Sequence, residues 1–312
     1  MHQNSNETTR AKVSLRDRYR ALNEAFSDTY VHQYGRGAGF GAETLGLIDM
    51  ALYCLSKDIK FTLGEQEPKG FSIESGWEDY FLPLWPHTHG RLLTLLNRKT
   101  FPLDRIPFVR MAARTLLGFL YPGTRFMLDR PEPADSERLL ALGFSADYWE
   151  RVSQFCELLF VYRPEVDQMV SANRDRLLPN GPFVAVHVRR GDKITESPYV
   201  PLDPYVKAIR ETDTNWPIYV ASDDQRVVDE LRDLLSDRHW IRGPEIVRTG
   251  YDQAMFNAGE SARRFNETVM FLVELEIMAR AAMFIGASPS NVFFLSRYRR
   301  GNRGVKDVGG DV

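Results

Sequence analysis

The run "FVAVHVRRGDKITES" places charged side chains directly after an apolar segment. Apart from His187, residues 183–188 are apolar and mostly β-branched, which is typical of a strand buried on both faces. At the carboxyl end of a parallel strand, polar residues face the crevice in which open α/β sheets bind ligands. The adjacent Arg189 and Arg190 therefore predict an anion site, because guanidinium groups match phosphate oxygens bidentately.

Three more ionisable residues follow the arginines, and a carboxylate beside a phosphate site can act as a general base. The candidates for this proton transfer are Asp192, Lys193 and Glu196. The same residues also permit a structural interpretation. In that interpretation the arginines form ion pairs with Asp192 and Asp223, and Glu196 caps a loop.

Two further apolar runs end in polar residues. "PIYVAS" precedes Asp223 and Asp224, and the third run, "MFIGASPSN", contributes Ser288, Ser290 and Asn291. If the strands are parallel, all three polar ends meet at one edge of the sheet. The paired aspartates are also suited to Mg²⁺ beside a diphosphate. Because two arginines and a lysine already supply positive charge, we expect a site without a metal.

Glycines alternate in "YGRGAGFGAETLG", between a predicted strand and a predicted helix, at Gly35, Gly37, Gly39 and Gly41. Glycine lets the backbone approach a diphosphate, and the following helix offers its N-terminal N–H groups. The spacing differs from the G-x-G-x-x-G dinucleotide fingerprint. The loop therefore fits a tight strand–helix turn as well as it fits a phosphate site.

The elements that position these residues fall into two groups. A strand at 28–35, a helix at 42–57 and a strand at 59–63 make a βαβ unit, and the pattern from about 90 to 178 is helical. From residue 181 strands and helices alternate, which is typical of a doubly wound parallel sheet. The tail from Gly301 is predicted to fray.

These patterns predict an α/β fold with two Rossmann-like domains facing a cleft. The N-terminal α/β domain, over residues 1–175, holds the glycine loop and the helical segment. The C-terminal domain covers residues 176–312 and holds the three polar strand ends.

Composition excludes several classes of protein. The formal net charge of the 312 residues is −2, which does not favour nucleic-acid binding, and no segment has the apolar length of a membrane span. The polar N-terminus lacks the apolar core of a signal peptide. Cys54 and Cys156 are predicted to be buried free thiols. His87 and His89 lack further ligands at metal-binding spacing.

The motifs resemble those of the α1,6-fucosyltransferases, the core N-glycan enzymes and the bacterial chitin-oligosaccharide enzymes. "FVAVHVRRGDKITES…YVPLDPYV" resembles their first motif, "PIYVASDDQRVVDELR" the second and "AAMFIGASPSNVFFLSR" the third. "GAGFGAETLG" and "ESGWEDYFLPL" are similar to the family's glycine loop and to the stretch that follows it. The similarity covers roughly residues 30–300, with the motifs in order.

The resemblance implies a GT-B-like fold, GDP-fucose as the donor, inversion at the anomeric carbon and no cofactor or metal. It implies that His187 lies against guanine, that Arg190 binds the β-phosphate and that Arg189 supports the motif. Asp192 and Lys193 would orient the site, and Glu196 would deprotonate the acceptor hydroxyl. The remaining donor-binding positions implied are Gly37, Gly39, Phe40 and Gly41 from the N-terminal domain, with Asp223, Asp224, Ser288, Ser290 and Asn291.

The resemblance leaves several points open. The acid that reads guanine is left open, with Glu245 and Asp252 as candidates. The acceptor, expected to be a GlcNAc-containing oligosaccharide, depends on loops near 65–90 and 120–150. Alternatives are another nucleotide-sugar donor, a protein hydroxyl as acceptor, or a non-catalytic nucleotide-sugar- or glycan-binding protein. The expected location is the cytoplasm, or the protein is the soluble catalytic core of a secretory-pathway enzyme.

Overall fold

A computed structural model of the chain shows two compact units. The first comprises Met1–Arg36 and Glu43–Arg163, and the second Gly37–Ala42 and Pro164–Val312. The sequence predicted a boundary after residue 175, whereas the first unit ends at Arg163. The glycine loop, Gly37–Ala42, belongs to the second unit although it lies within the N-terminal part of the sequence. The structure describes residues 15–34, 38–64, 69–88, 107–126, 136–191, 199–243, 250–288 and 290–310.

The first unit is built around a parallel sheet with the strand order β3-β2-β1-β4. A 3₁₀ turn, Gly76–Asp79, precedes its third strand. The strands are β1 (Asp28–His32), β2 (Ile59–Gly64), β3 (His87–Thr88) and β4 (Thr124–Phe126). The helices are α1 (15–25), α2 (Phe40–Ser56), α3 (Pro107–Leu120), α4 (Ser136–Ala141) and α5 (Tyr148–Leu159).

The aromatic segment that follows β2 is packed inside the first unit. Trp77 and Phe81 stack with ring centroids 4.1 Å apart, and the Tyr80 hydroxyl donates to the Phe71 carbonyl (2.7 Å). The thiols of Cys54 and Cys156 are free and buried, which confirms the prediction.

Strand β4 lies inside the region predicted to be helical. Three residues are too few to show an alternating pattern, so pairing with β1 reveals this strand and periodicity does not.

The second unit has its own parallel sheet, in the order β6-β5-β7-β8. Its strands are β5 (Val184–Val188), β6 (Ile218–Ser222), β7 (Met283–Gly286) and β8 (Val305–Asp307). Its helices are α6 (Pro164–Leu177), α7 (Leu202–Arg210), α8 (Gln225–Leu234), α9 (Gln253–Ala258), α10 (Ser261–Arg280) and α11 (Asn291–Arg300). Helices α5 and α6 lie in the region from about 90 to 178 that was predicted to be helical. Helix α6 packs against α10, which explains its place in the second unit.

The core of this unit follows from its sequence. Every residue of β5 and β6 is buried, as expected for strands covered on both faces. The alternation of strands and helices confirms the predicted α/β class. Within the described residues, no helix is both long and apolar enough to cross a membrane.

The C-terminal tail differs from the prediction that it frays. Val305–Asp307 pairs with β7 as the edge strand β8. The guanidinium of Arg300 is buried and donates to the carbonyl oxygens of Met278 (2.7 Å) and Gly304 (2.8 Å). These bonds hold the chain where it leaves α11, and neither strand pairing nor such contacts are visible in a glycine-rich sequence.

Candidate active site

Three strand ends of the second unit meet at one edge of its sheet, because β6, β5 and β7 are adjacent and parallel. Arg189 and Arg190 follow β5, and Asp223 and Asp224 follow β6. Ser288, Ser290 and Asn291 follow β7. The expected convergence of polar residues is therefore present.

Asp223 holds this edge together. One of its carboxylate oxygens accepts a hydrogen bond from the Arg190 backbone N–H (2.7 Å), and the other forms an ion pair with the Arg189 guanidinium (2.8 Å). Its carbonyl oxygen accepts from the Gly250 N–H (2.8 Å). Asp223 thus joins the loops after β5 and β6 to the segment before α9, as the structural interpretation of the sequence proposed for Arg189.

The close packing of this loop against Asp223 and Tyr251 requires glycine at position 191. Its φ of +57° lies in the left-handed region that favours glycine. A Cβ at this position would lie 2.5 Å from the Tyr251 carbonyl oxygen and 2.6 Å from an Asp223 carboxylate oxygen. The chain can turn directly after the arginines only because no side chain is present there.

Two tyrosines orient the arginines, and the sequence did not predict them. The Arg189 guanidinium lies over the Tyr251 ring (4.9 Å to the centroid), and that of Arg190 lies over the Tyr199 ring (5.0 Å). The Tyr199 hydroxyl donates to the Gly191 carbonyl oxygen (2.6 Å). Cation–π contacts of this kind fix the plane of a guanidinium. Both rings come from loops, where the sequence carries no signal that links them to the arginines.

The two arginines differ in charge balance. Arg189 is paired with Asp223, whereas no carboxylate of the described residues forms an ion pair with Arg190. The Arg190 guanidinium donates to the Arg189 carbonyl oxygen (3.2 Å). Among the described residues, an ion pair therefore compensates the charge of Arg189 and not that of Arg190.

Asp224 is engaged within its own helix. It is the N-cap of α8: one carboxylate oxygen accepts from the Arg226 backbone N–H (3.0 Å), and the other binds the Arg226 guanidinium (2.6 Å). Hydrogen bonding from Arg226 lowers the pKa of Asp224. Among the residues described, no group of three or more His, Cys, Asp and Glu is arranged to hold a metal ion.

His187 is a neutral imidazole inside the sheet. It is 7% exposed, and burial, followed by the charge of Arg189, lowers its pKa to about 3. Within the described part of the chain its Nδ1 has no hydrogen-bond partner. At neutral pH the ring is therefore uncharged and keeps unused hydrogen-bonding capacity.

The third strand end leads into the N-terminus of α11. The Ser288 N–H and hydroxyl both donate to the Asp307 carboxylate (3.0 and 2.7 Å), so β8 fixes this turn. Ser290 occupies the N-cap position without a side-chain capping bond, and Asn291 is the first residue of the helix. The N–H groups of a helix start attract anions. Asp307 was not predicted from the sequence.

The described part of the glycine loop packs on this unit. A Cβ on Gly41 would lie 3.3 Å from the backbone of Asn291, so glycine permits close contact with the start of α11. A Cβ on Gly39 would lie 3.2 Å from the Gln253 side chain, and the Phe40 ring contacts that of Phe271 (5.7 Å). The loop therefore belongs with the polar strand ends, and not with the N-terminal domain as expected.

Several predicted residues lie outside the described part of the chain: Gly37, Asp192, Lys193, Glu196, Glu245 and His89. Asp252 is described and caps α9 by accepting from the Met255 N–H (2.8 Å). His87 lies 2.7 Å from a Glu78 carboxylate oxygen.

The sequence also gave no sign of the buried acids of α10, Glu274 and Glu276, the second of which pairs with Arg299.

Comparison with known proteins gives a consistent result. A model of the family described as alpha-(1,6)-fucosyltransferase N- and catalytic domains matches residues 72–253, more than half of the chain. The alpha-(1,6)-fucosyltransferase of Drosophila melanogaster is 25% identical over 230 residues, which cover 70% of this chain and 36% of that protein. The chain thus spans little more than a third of the length of this relative.

Solved structures share the fold. A crystal structure of the NodZ alpha-1,6-fucosyltransferase soaked with GDP-fucose matches with a TM-score of 0.51 and 14% identity, over 87% of this chain and 92% of that one. The apo form of POFUT1 matches with a TM-score of 0.50 and 13% identity, over 90% and 97%. These matches confirm the predicted GT-B-like fold class.

Proposed function

The chain belongs to the alpha-(1,6)-fucosyltransferase family, and from this premise we propose that it is an inverting, metal-independent glycosyltransferase. It transfers L-fucose from GDP-fucose to a hydroxyl group of a glycan. The acceptor is an oligosaccharide that contains GlcNAc. The GDP-fucose named for the NodZ structure supports this choice of donor.

The observation that carries the proposal is the surroundings of Arg190. Its guanidinium is oriented by Tyr199 and lacks a carboxylate partner among the described residues, while Asp223 anchors its backbone. The N-terminus of α11 follows the adjacent strand β7. An oriented cation and a helix N-terminus at one sheet edge suit a diphosphate.

The reaction follows from this arrangement. As GDP leaves, negative charge develops on the β-phosphate, and a preorganised guanidinium stabilises that charge more than it stabilises the ground state. The sugar passes through an oxocarbenium-like state. Glu196 removes the proton of the acceptor hydroxyl, Lys193 and Asp192 orient the site, and attack from the opposite face inverts the anomeric carbon.

The donor base is read by a neutral ring. We assign the guanine contact to His187, which lies near Arg189 at the end of β5, and its low pKa keeps the imidazole uncharged. Arginine and lysine supply the positive charge that a metal would otherwise supply. The mechanism therefore proceeds without a divalent cation.

The direct test is turnover with a panel of nucleotide-sugars. GDP-fucose, GDP-mannose and UDP-sugars are each incubated with chitin oligosaccharides, N-glycans and a protein acceptor, and the product linkage is determined. We expect release of GDP from GDP-fucose with a glycan acceptor. Turnover with another donor or only with a protein hydroxyl would replace the proposed specificity. Binding of GDP-fucose without turnover on any acceptor would identify a non-catalytic binding protein.

A further inference from the structure

The C-terminal strand β8 ends beside the third polar strand end of the second unit. It runs parallel to β7, with Asp307 opposite Gly286, the last residue of β7. Beyond this pair, the Val308 N–H donates to the Gly286 carbonyl oxygen (2.9 Å). Asp307 therefore lies at the level where β7 ends and the turn toward α11 begins.

Hydrogen bonds connect the Asp307 carboxylate to this turn. One oxygen accepts from the backbone N–H groups of Ser288 (3.0 Å) and Gly309 (2.9 Å), and the other accepts from the Ser288 hydroxyl (2.7 Å). A Cβ on Gly309 would lie 2.1 Å from the Ser288 carbonyl oxygen, so the backbone of the tail lies directly against the turn. A phosphate oxygen needs a donor, and both donor groups that a serine has are directed at Asp307.

The turn held by Asp307 leads to the start of α11, against which the glycine loop packs. The Ser290 N–H donates to the Ala287 carbonyl oxygen (3.1 Å), and Ser290 is the N-cap of α11. A Cβ on Gly41 would lie 3.3 Å from the backbone of Asn291, the first residue of the helix. A shift of the turn would therefore displace the start of α11 from the glycine loop. Two elements of the proposed donor site depend on this one turn.

Asp307 lies on the same side of the sheet edge as Arg190. Burial raises the pKa of Tyr205 in α7 to about 12, and the charges of Arg190 and Asp307 act on this phenol in opposite directions. Both charged groups are thus close to one buried ring. A carboxylate repels a diphosphate, because the charges are alike. Asp307 is therefore unsuited to bind the donor itself, and it can act on the site through the turn that it holds.

We propose that Asp307 is a positioning residue of the donor site, and that Ser288 acts through Asp307 and not by contact with the donor. The inference rests on the proposed function, because it concerns the same diphosphate site. It replaces the direct donor contact that the family resemblance implies for Ser288. The hydrogen bonds of Asp307, and not its charge, carry the effect. Asparagine can make the same bonds, since its amide oxygen accepts from both N–H groups and its amide nitrogen donates to the Ser288 hydroxyl.

The experiment is calorimetric titration of the full chain with GDP, at a temperature at which urea unfolding shows each variant to be folded. Asp307→Ala removes the acceptors of the turn, and the dissociation constant of GDP should rise by about tenfold. Asp307→Asn should stay within about threefold of the wild type, because the hydrogen bonds are kept. Lys306→Ala is the matched control: this neighbour on β8 is exposed, pairs with Glu211 (3.4 Å), and its loss should leave GDP affinity unchanged.

A double-variant cycle tests the role of Ser288. Ser288→Ala removes one of the bonds to Asp307 and should give an intermediate loss of GDP affinity. Ser288→Ala with Asp307→Ala should bind GDP as weakly as Asp307→Ala alone, because Ser288 acts only through Asp307. A further loss in the double variant would make Ser288 a ligand of the donor and overturn the inference. If Asp307→Ala does not fold, unchanged GDP affinity in Ser288→Ala overturns it equally.

The remaining outcomes separate this inference from the proposed function. If the wild type turns over GDP-fucose and Asp307→Ala binds GDP equally well, Asp307 has a purely structural role and only the inference fails. Equal losses in Asp307→Asn and Asp307→Ala would assign the effect to charge and also overturn it. If the wild type does not bind GDP, the proposed function fails and the inference fails with it.

Discussion

Arg189 and Arg190 are neighbours in the sequence and have different surroundings in the structure. Arg189 forms an ion pair with Asp223 and stacks on Tyr251, so its charge is already balanced. Arg190 is oriented by Tyr199 without a carboxylate partner among the described residues. The first arginine therefore builds the site, and the second is the one we expect to contact the diphosphate.

Replacement of Arg190 by lysine tests this division. Arg190→Lys keeps the charge but turns a bidentate fork into a point charge. We expect kcat/KM for GDP-fucose to fall by roughly 100-fold, the loss expected for a charge-assisted bidentate contact. Arg263→Lys is the control, because that exposed arginine pairs only with Glu267 in the described structure. Equal kinetics of the two variants would show that another residue holds the diphosphate.

The general base is a prediction from the sequence alone, since Glu196 and Asp192 lie outside the described residues. Glu196→Gln keeps shape and removes proton acceptance, so kcat should fall by roughly 10²–10⁴-fold while GDP affinity, measured by calorimetry, is kept. Asp192→Asn is the matched comparison. If Glu196→Gln is active and Asp192→Asn binds GDP without turnover, the base is Asp192. Loss of GDP binding in both variants would give the two acids a structural role.

His187 predicts a pH dependence of stability. Burial and Arg189 lower its pKa to about 3, whereas an unfolded histidine titrates near pH 6.5. Between these values the unfolded chain binds more protons, so this contribution to stability is complete above about pH 6.5 and is lost as the pH falls toward 3. When the pH is lowered from about 7 to 5, the free energy of unfolding, measured with urea, should fall by about 2 kcal/mol more for the wild type than for His187→Gln. Equal losses would mean that folding does not lower the pKa of His187.

At the scale of the elements, a turn after β5 determines where the arginines point. Gly191→Ala would force a side chain into the left-handed region and against Tyr251 and Asp223. Gly143 is a matched control, since its φ is +94° and nothing lies within 4 Å of a Cβ there. We expect Gly143→Ala to cost about 1–2 kcal/mol and to leave GDP affinity unchanged. Gly191→Ala should cost more and should weaken GDP binding by calorimetry. Wild-type affinity in Gly191→Ala would show that the turn does not position the arginines.

The central strands of the second unit were predictable from the sequence, and its edge was not. The strands β5, β6 and β7 are apolar runs that end in polar residues. This pattern predicts both the strands and the positions of Arg190 and Asp223 at the sheet edge. Strand β8 has three residues in a glycine-rich tail and exists because it pairs with β7. Tertiary contacts alone bring in Tyr199, Tyr251 and Asp307. The glycine loop was recognised, but its place on the second unit depends on packing against Asn291.

At the scale of the whole molecule, the described residues of the proposed donor site all belong to the second unit. Pro164–Val312 supplies the strand ends, and Gly37–Ala42 adds the glycine loop to the same unit. The first unit has a parallel sheet of its own, and α3 is part of it. The described residues of the first unit contribute nothing to the proposed donor site.

The proposed donor site in the second unit predicts how GDP and a divalent cation affect thermal unfolding. GDP at about 100 times its dissociation constant should stabilise the folded protein by about 2.7 kcal/mol, by mass action. For a unit of this size the midpoint of thermal unfolding, followed by calorimetry, should rise by roughly 5–10 °C. Because Arg190 and the start of α11 are expected to hold the diphosphate, excess EDTA should leave this rise unchanged, and Arg190→Lys should reduce it at the same GDP concentration. If EDTA abolishes the rise and Mg²⁺ restores it, a cation bridges the diphosphate and the metal-independent mechanism is wrong.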